Sequence, residues 1–116
     1  LAKRFRAIRE FRDRITFEHG DALGAIQRYS GAAMFVDPPY TAGTGKRAGS
    51  RLYTHNEIDH GRLFDLVALH SGPALLTYDD DPAVRRMASA HGFQIGDVAM
   101  KSTHHVVMRE LAIFKP

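Results

Sequence analysis

The sequence predicts an α/β fold, in which a doubly wound and mostly parallel sheet ends in an antiparallel hairpin. Two short apolar runs, residues 33–36 and 74–78, each stop abruptly at an aspartate, as buried parallel strands do at a functional edge. Segments with the apolar spacing of helices precede and follow these runs. Two longer strand-like segments, residues 93–100 and 106–114, close the chain and form the predicted hairpin.

The first fourteen residues predict a basic amphipathic helix that continues to about Asp13. Its apolar residues recur with helical spacing at Leu1, Phe5, Ile8 and Phe11. This segment contains six basic and two acidic side chains, so it alone carries a charge of +4 in a chain of net charge +3. Such a patch indicates a polyanionic partner, although a solvated helix face has the same composition.

The next part of the chain predicts a strand–helix–strand unit with parallel strands. Residues 15–19 alternate apolar and polar side chains, which favours a strand that ends at Gly20. A helix is expected over residues 21–29, followed by the strand at 33–36. Residues 41–56 are rich in glycine, polar and basic side chains, and we expect a flexible loop that is either functional or disordered.

Two further helices are predicted from their caps and stripes. Asn56 is the expected N-cap of the first, whose apolar stripe is Leu63, Leu66, Val67 and His70. The second follows the strand at 74–78, with Asp81 as N-cap and Pro82 at the first helical position.

Composition limits the class of protein. A chain of 116 residues makes one small domain, which is short for a complete enzyme with two ligands, and it begins with Leu1, so we expect a piece of a longer protein. The chain has no cysteine, which excludes disulfides and thiolate metal sites. No apolar run approaches the roughly 20 residues that span a bilayer, and we therefore expect a soluble, cytoplasmic protein without a membrane partner.

The segment Asp37-Pro38-Pro39-Tyr40 is the strongest candidate for a functional site. The prolines make a stiff turn and donate no hydrogen bond, so the carbonyl groups beside them can accept from a ligand. Asp37 adds carboxylate oxygens, and Tyr40 adds a flat ring. Acceptors beside a stacking ring suit a planar group with an amino substituent, such as a nucleobase. A simple turn after the strand, with Asp37 as a cap, is the alternative interpretation, because prolines are common at strand ends.

Polar residues also follow the other predicted strands. Asp21 follows the first, Asp37 the second, and Tyr78 and Asp79 the third. Because the carboxyl ends of parallel strands meet at one edge, we expect these side chains to converge there.

Several segments together resemble the Dam-like class of N6-adenine-specific DNA methyltransferases. Besides Asp37-Pro38-Pro39-Tyr40, they are Phe17-Glu18-His19-Gly20-Asp21, Tyr53-Thr54-His55-Asn56, Leu75-Leu76-Thr77-Tyr78-Asp79-Asp80 and Arg109-Glu110-Leu111-Ala112-Ile113-Phe114-Lys115. They occur in the order of that class and cover roughly residues 15–116. The glycine-rich loop that holds the methionine part of S-adenosylmethionine is missing, and Gly43 and Gly45 lie in the wrong place to supply it.

The resemblance implies a partial Rossmann-like methyltransferase fold, S-adenosylmethionine as cofactor and double-stranded DNA as partner, in a restriction-modification or related role. It implies that Asp21 and the Ala22 N–H bind the cofactor's adenine, with Asp37 also beside the cofactor. Asp37 and the Pro38 carbonyl would hold the target amine while Tyr40 stacks on the flipped base.

Other residues are predicted to contact DNA or are considered as metal ligands. Lys46, Arg47 and Arg51 in the loop, with Tyr78, are predicted to contact DNA. His104 and His105, or His55 with His60, suggest a metal site, which we do not expect because adjacent strand residues point to opposite faces.

Two other functions stay open. Asp37 with Asp79–Asp81 would suit a magnesium-dependent phosphoryl transferase, although the prolines have no use there. A non-catalytic DNA-binding remnant would explain the missing loop. Because two strands expected between 15–19 and 33–36 are absent, we also expect self-association or a rearranged N-terminal region.

Overall fold

A computed structural model describes residues 2–42, 57–101 and 107–116 of the chain. Their regular elements are α1 (Ala2–Arg9), a 3₁₀ turn (Arg12–Arg14), α2 (Ala22–Arg28), β1 (Met34–Val36), α3 (His60–Leu69), β2 (Ala74–Asp79), α4 (Pro82–Ala90), β3 (Gln94–Lys101) and β4 (Val107–Lys115). Among these residues, no helix is long and apolar enough to cross a membrane.

The four strands form one mixed sheet in the order β1-β2-β4-β3. β1 and β2 are parallel, whereas β4 is antiparallel to both β2 and β3. The α/β class and the C-terminal hairpin are therefore confirmed. The described sheet is less parallel than predicted, since it contains a single parallel pair.

The predicted strand at residues 15–19 is wrong. The segment forms no strand, and the Phe17 side chain is 88% exposed. Glu18 instead accepts hydrogen bonds from Arg28 and from the Tyr29 hydroxyl, so the segment is tied to the end of α2. Alternation of side chains specifies a strand only where a neighbouring strand pairs with it, and β1 is the edge of the described sheet.

The helices begin and end close to their predicted positions, with two corrections. The N-terminal helix stops at Arg9 and is followed by the 3₁₀ turn, so it is shorter than predicted. Asp59 caps α3, because its carboxylate accepts from the Arg62 N–H at 2.9 Å; Asn56, the predicted cap, lies outside the described residues. Asp81 caps α4 with Pro82 at the first helical position, as predicted.

One face of the sheet carries the hydrophobic core, and α3 and α4 cover it. The predicted stripe of α3 is buried, and Phe64 joins it. The core residues are Ile26, Leu63, Phe64, Leu66, Val67, Ala74, Leu76, Tyr78, Val84, Ala88, Phe93, Leu111 and Ile113. This core fixes β2 and β4 and, through β2, the position of the short strand β1.

The opposite face of the sheet is open. Phe35, Leu75 and Phe114 lie side by side in the register of β1, β2 and β4, and each is exposed. Residues 33–36 and 74–78 are predicted as buried strands, but in β1 the exposed Phe35 lies between two half-buried residues, and in β2 buried residues alternate with more exposed ones. In the described part of the chain, the sheet is therefore not covered on both sides as a doubly wound sheet would be.

Candidate functional site

Asp37 lies directly after β1, and two hydroxyl groups hold its carboxylate. The Thr77 hydroxyl donates to Asp37 Oδ1 at 2.6 Å, and the Tyr40 hydroxyl donates to the same oxygen at 3.1 Å. Thr77 belongs to β2, whose parallel pairing with β1 brings the two residues together. Within the described residues Asp37 Oδ2 accepts no hydrogen bond, so one oxygen is fixed and the other is open to a ligand.

The proline turn presents a second acceptor. The Thr41 N–H donates to the Pro39 carbonyl at 2.8 Å, which closes a three-residue turn around Tyr40. The Pro39 carbonyl is therefore occupied, contrary to the expectation that every carbonyl of this turn is open. The Pro38 carbonyl accepts no hydrogen bond from the described residues. Asp37, which is exposed, and Pro38, which is buried, therefore each carry an oxygen that no described residue engages: Asp37 Oδ2 and the Pro38 carbonyl oxygen.

The ring of Tyr40 is partly buried and lies on the ring of Tyr78. Their centroids are 5.9 Å apart and their planes differ by 25°. Burial raises the pKa of Tyr40, and the negative charge of Asp37 adds to this effect. The Tyr40 hydroxyl is therefore protonated at neutral pH and acts as a donor to Asp37.

The structure places Tyr78 in the core, not at a nucleic-acid surface as predicted. Its side chain is fully buried, because alternation along β2 directs it toward α3. It contacts Phe64 on one side and Tyr40 on the other. Tyr78 thus supports the Tyr40 ring from inside the protein and offers no surface to DNA.

His60 and Thr77 belong to the site, and sequence reasoning did not find their roles. His60, the first residue of α3, lies within hydrogen-bonding distance of the hydroxyls of Thr41 and Tyr78. Thr77 lies 40 residues from Asp37 in the sequence. Thr77 lies in the predicted strand, two residues before Asp79. This position near the functional edge of the sheet is the one feature of the sequence that could have indicated its role.

Asp21 and Ala22 lie at the start of α2, near the proline turn. Asp21 accepts from the Leu23 N–H at 3.3 Å and from the Gly24 N–H at 2.9 Å, so its carboxylate caps the helix. The two residues line a concavity of about 540 Å³ together with Pro39 and Ile58. An adjoining apolar groove of about 570 Å³ runs along the open edge of β1 and reaches Asp37 and Pro38. Asp21 and Asp37 therefore lie at two adjoining concavities that share Ala22, Pro39 and Ile58, although Asp21 does not follow a strand as predicted.

The three consecutive aspartates after Tyr78 do not form a metal site in the described structure. Asp80 binds Arg85 through two hydrogen bonds of 2.6 and 3.0 Å, and Asp81 caps α4. Across residues 2–42, 57–101 and 107–116, no group of three or more histidine, aspartate or glutamate side chains has the arrangement of a metal site. Asp79 lies opposite Glu110 in the β2–β4 register.

Several predicted features fall on residues outside the described ranges. They are the DNA contacts of Lys46, Arg47 and Arg51, the histidines His55, His104 and His105, and most of the predicted loop at 41–56. The basic side chains of residues 3–14 are exposed.

In comparisons with known proteins, no protein-family model matches the chain, and no curated protein matches it either.

Proposed function

We propose that this chain provides the amine-binding part of the active site of an S-adenosylmethionine-dependent methyltransferase that acts on the N6 amine of adenine in DNA. The observation that carries the proposal is the pair of open acceptors at the end of β1. Asp37 and Pro38 are consecutive residues that line the same groove, and Thr77 and Tyr40 fix Asp37 through its Oδ1.

The acceptor pair suits the chemistry of an aromatic amine. The lone pair of such an amine is conjugated with the ring, so the nitrogen is a poor nucleophile. Asp37 and the Pro38 carbonyl each accept one N–H, which draws the nitrogen toward tetrahedral geometry and returns the lone pair to it. The charge of Asp37 also stabilises the positive charge that develops on nitrogen.

The cofactor supplies a methyl group on a sulfonium sulfur. When bound, it would transfer this methyl group to the amine held by Asp37: the nitrogen–carbon bond would form as the carbon–sulfur bond breaks with its electron pair left on sulfur, and the methylated amine would then release a proton to solvent. Since the proton leaves after the amine has become cationic, the site needs no strong base.

The depression beside Asp37 fits one part of that cofactor. Asp21 caps α2 with both carboxylate oxygens, and each oxygen retains a lone pair for an amino group of the cofactor's adenine. Ala22 and Pro39 provide apolar walls for the ring. The described residues contain no glycine-rich turn after a strand, so the methionine part requires a segment outside them.

Double-stranded DNA is the proposed partner. The exposed basic side chains on α1 and the 3₁₀ turn would bind phosphates, and Tyr40 would stack on the base after it leaves the duplex. Adenine is preferred over cytosine or glutamine because an aspartate opens the Asp37-Pro38-Pro39-Tyr40 segment, as it does in the class that the sequence resembles.

Self-association is also part of the proposal. Among the described residues, the N-terminal segment and the open sheet face expose large apolar side chains that include Phe5, Ile8, Phe11, Ile15, Phe17, Phe35, Leu75 and Phe114. At 150–250 Å² for a complete aromatic side chain, their exposed parts amount to roughly 800 Å². A stable interface buries about the same area on each partner, so a reciprocal pair of chains would cover these surfaces.

Product analysis tests the proposed reaction. The protein encoded by the whole reading frame that contains this chain is incubated with duplex DNA and with S-adenosylmethionine that carries a labelled methyl group. The DNA is then digested to nucleosides, which are identified by mass spectrometry. We expect labelled N6-methyldeoxyadenosine, and we expect EDTA to leave its yield unchanged. Label on cytosine or on protein would contradict the proposed substrate, and activity that disappears with EDTA would favour magnesium chemistry.

A further inference from the structure

His60 joins the proposed site to the core through two hydroxyl groups. Its Nε2 lies 2.8 Å from Thr41 Oγ1, and its Nδ1 lies 2.9 Å from the Tyr78 hydroxyl. Thr41 directly follows Tyr40, and Tyr78 lies beneath the Tyr40 ring. One imidazole therefore contacts both the segment that carries Tyr40 and the ring that supports it.

Burial of Tyr78 decides which ring nitrogen of His60 carries the proton. The Tyr78 hydroxyl is fully buried, and a buried hydroxyl that finds no acceptor destabilises the fold. In the described part of the chain, Nδ1 of His60 is the acceptor within its reach. Nδ1 must then be unprotonated, so that Nε2–H donates to Thr41, whose hydroxyl accepts readily.

We propose that His60 is a positioning residue for this site, in which the neutral Nε2–H imidazole fixes Tyr78 and Thr41 and thereby holds the Tyr40 ring. Tyr40 in turn donates to Asp37 Oδ1, so the same contacts orient the open Oδ2. The arrangement of His60, Thr41 and Tyr78 follows from the two distances alone. Its importance for catalysis rests on the proposed function.

Protonation would disrupt this arrangement. The imidazolium ion donates from both nitrogens, so Nδ1 no longer accepts from the buried Tyr78 hydroxyl. Burial lowers the pKa of His60, whereas the charges of Asp59, at the start of its own helix, and of Asp79, on β2, act in the opposite direction. The other titratable groups among the described residues of the site are the Asp37 carboxylate and the Tyr40 and Tyr78 hydroxyls. His60 is therefore neutral at pH 7.5, and its contacts weaken only as the pH falls through its lowered pKa.

The tautomer is measured directly by two-bond ¹H–¹⁵N correlation NMR of the imidazoles at pH 7.5. We expect a pyridine-type Nδ1 and a protonated Nε2 for His60. In Tyr78→Phe, which keeps the ring but removes the donor, we expect the population of the Nδ1–H tautomer to rise. A protonated Nδ1 in the unmodified protein would overturn the proposal, whether or not the protein methylates DNA.

Variants test the positioning of Tyr40. In folded His60→Ala, the Tyr40 ring resonances should shift, and His60→Asn should restore them because its amide oxygen replaces Nδ1 as acceptor. The matched control is His91→Ala, which removes a histidine at the end of α4 that pairs with Asp65. It should leave the Tyr40 resonances in place. Unchanged Tyr40 resonances in folded His60→Ala would refute the positioning role.

Methyl transfer gives the functional readout. His60→Ala should lower kcat about 10-fold with KM changed less than about twofold, since misplacing a contact group affects the reacting geometry more than ground-state binding. His60→Asn should retain activity within about threefold. If the unmodified protein transfers no methyl group, the proposed function fails, while the tautomer and ring-resonance results still decide the role of His60. Full activity of His60→Ala would overturn the catalytic part of the inference.

Discussion

Replacing Gly72 with alanine should destabilise the protein far more than the same change at Gly61. A Cβ atom at Gly72 would overlap the Ala32 carbonyl oxygen and lie 2.8 Å from the Gly31 carbonyl oxygen. Both obstacles are main-chain atoms just before β1, so no side-chain rotation removes them. The segment before β1 must move away from β2, and this displacement carries toward Asp37.

The cost follows from the contacts that such a movement breaks. The Met34 N–H donates to the Pro73 carbonyl at 2.9 Å, and His70 Nε2 lies 2.8 Å from the Ala32 carbonyl. Each hydrogen bond contributes about 0.5–1.5 kcal/mol, and overpacking adds about 1 kcal/mol or more. We therefore expect Gly72→Ala to lower the free energy of unfolding by about 2–4 kcal/mol.

Urea denaturation followed by circular dichroism measures this change. The control is Gly61→Ala in α3, where the nearest atom to a new Cβ is Asp59 Oδ1 at 3.5 Å. Alanine favours a helix over glycine, so this variant should gain about 0.5 kcal/mol. A Gly72→Ala protein within about 0.5 kcal/mol of the original would show that Gly72 does not approach the Gly31 and Ala32 carbonyl oxygens this closely.

Three further predictions concern the cofactor, a surface ion pair and assembly. By isothermal titration calorimetry, the 116-residue chain alone should bind S-adenosylmethionine weakly or not at all; a low micromolar dissociation constant, about −8 kcal/mol, would contradict this. A hydrogen bond to the Met87 carbonyl and the nearby Asp65 raise the pKa of His91 in the folded protein. These two contacts therefore stabilise the fold fully below the pKa of His91 in the unfolded chain, about 6.5, and the stabilisation is lost as the pH rises through the raised pKa of the folded protein. Asp65→Asn should therefore cost up to about 1 kcal/mol in urea denaturation at pH 6 and almost nothing at pH 9; an equal cost at both would refute the pairing. Light scattering should report self-association, and a monomer with strong amide protection across residues 15–19 would argue against it.

The sequence predicted those elements whose pattern is local and whose partners are close. The stripe of α3 and the Asp81-Pro82 start of α4 are visible in a few consecutive residues, and the structure has both. The C-terminal hairpin follows from two neighbouring alternating segments. In each case the residues that stabilise the element are near one another in the chain.

The sequence failed where an element depends on a neighbour that local pattern does not reveal. Residues 15–19 have strand alternation but no strand beside them. The predicted burial of Phe35 and Leu75 requires a second layer of helices on the open face of the sheet, and both side chains are exposed in the described structure.

For the candidate site, the sequence identified Asp37 and the proline turn but not the side chains that hold them. Thr77 and His60 reach the site only after the chain folds, across separations of 40 and 18–19 residues. Tyr78 shows a different error, because strict alternation along β2 would already have placed it on the core side.

Asp37→Ala tests the central claim most directly. In the protein that contains this chain in its natural reading frame, DNA affinity should stay within a few fold, while kcat for methyl transfer should fall at least about 10²-fold, because the acceptor acts mainly as charge develops on nitrogen. Asp65→Ala, which removes a carboxylate that pairs with His91, is the matched control and should leave kcat unchanged. A loss confined to KM with kcat intact would contradict the role of Asp37 as the acceptor for the reacting amine.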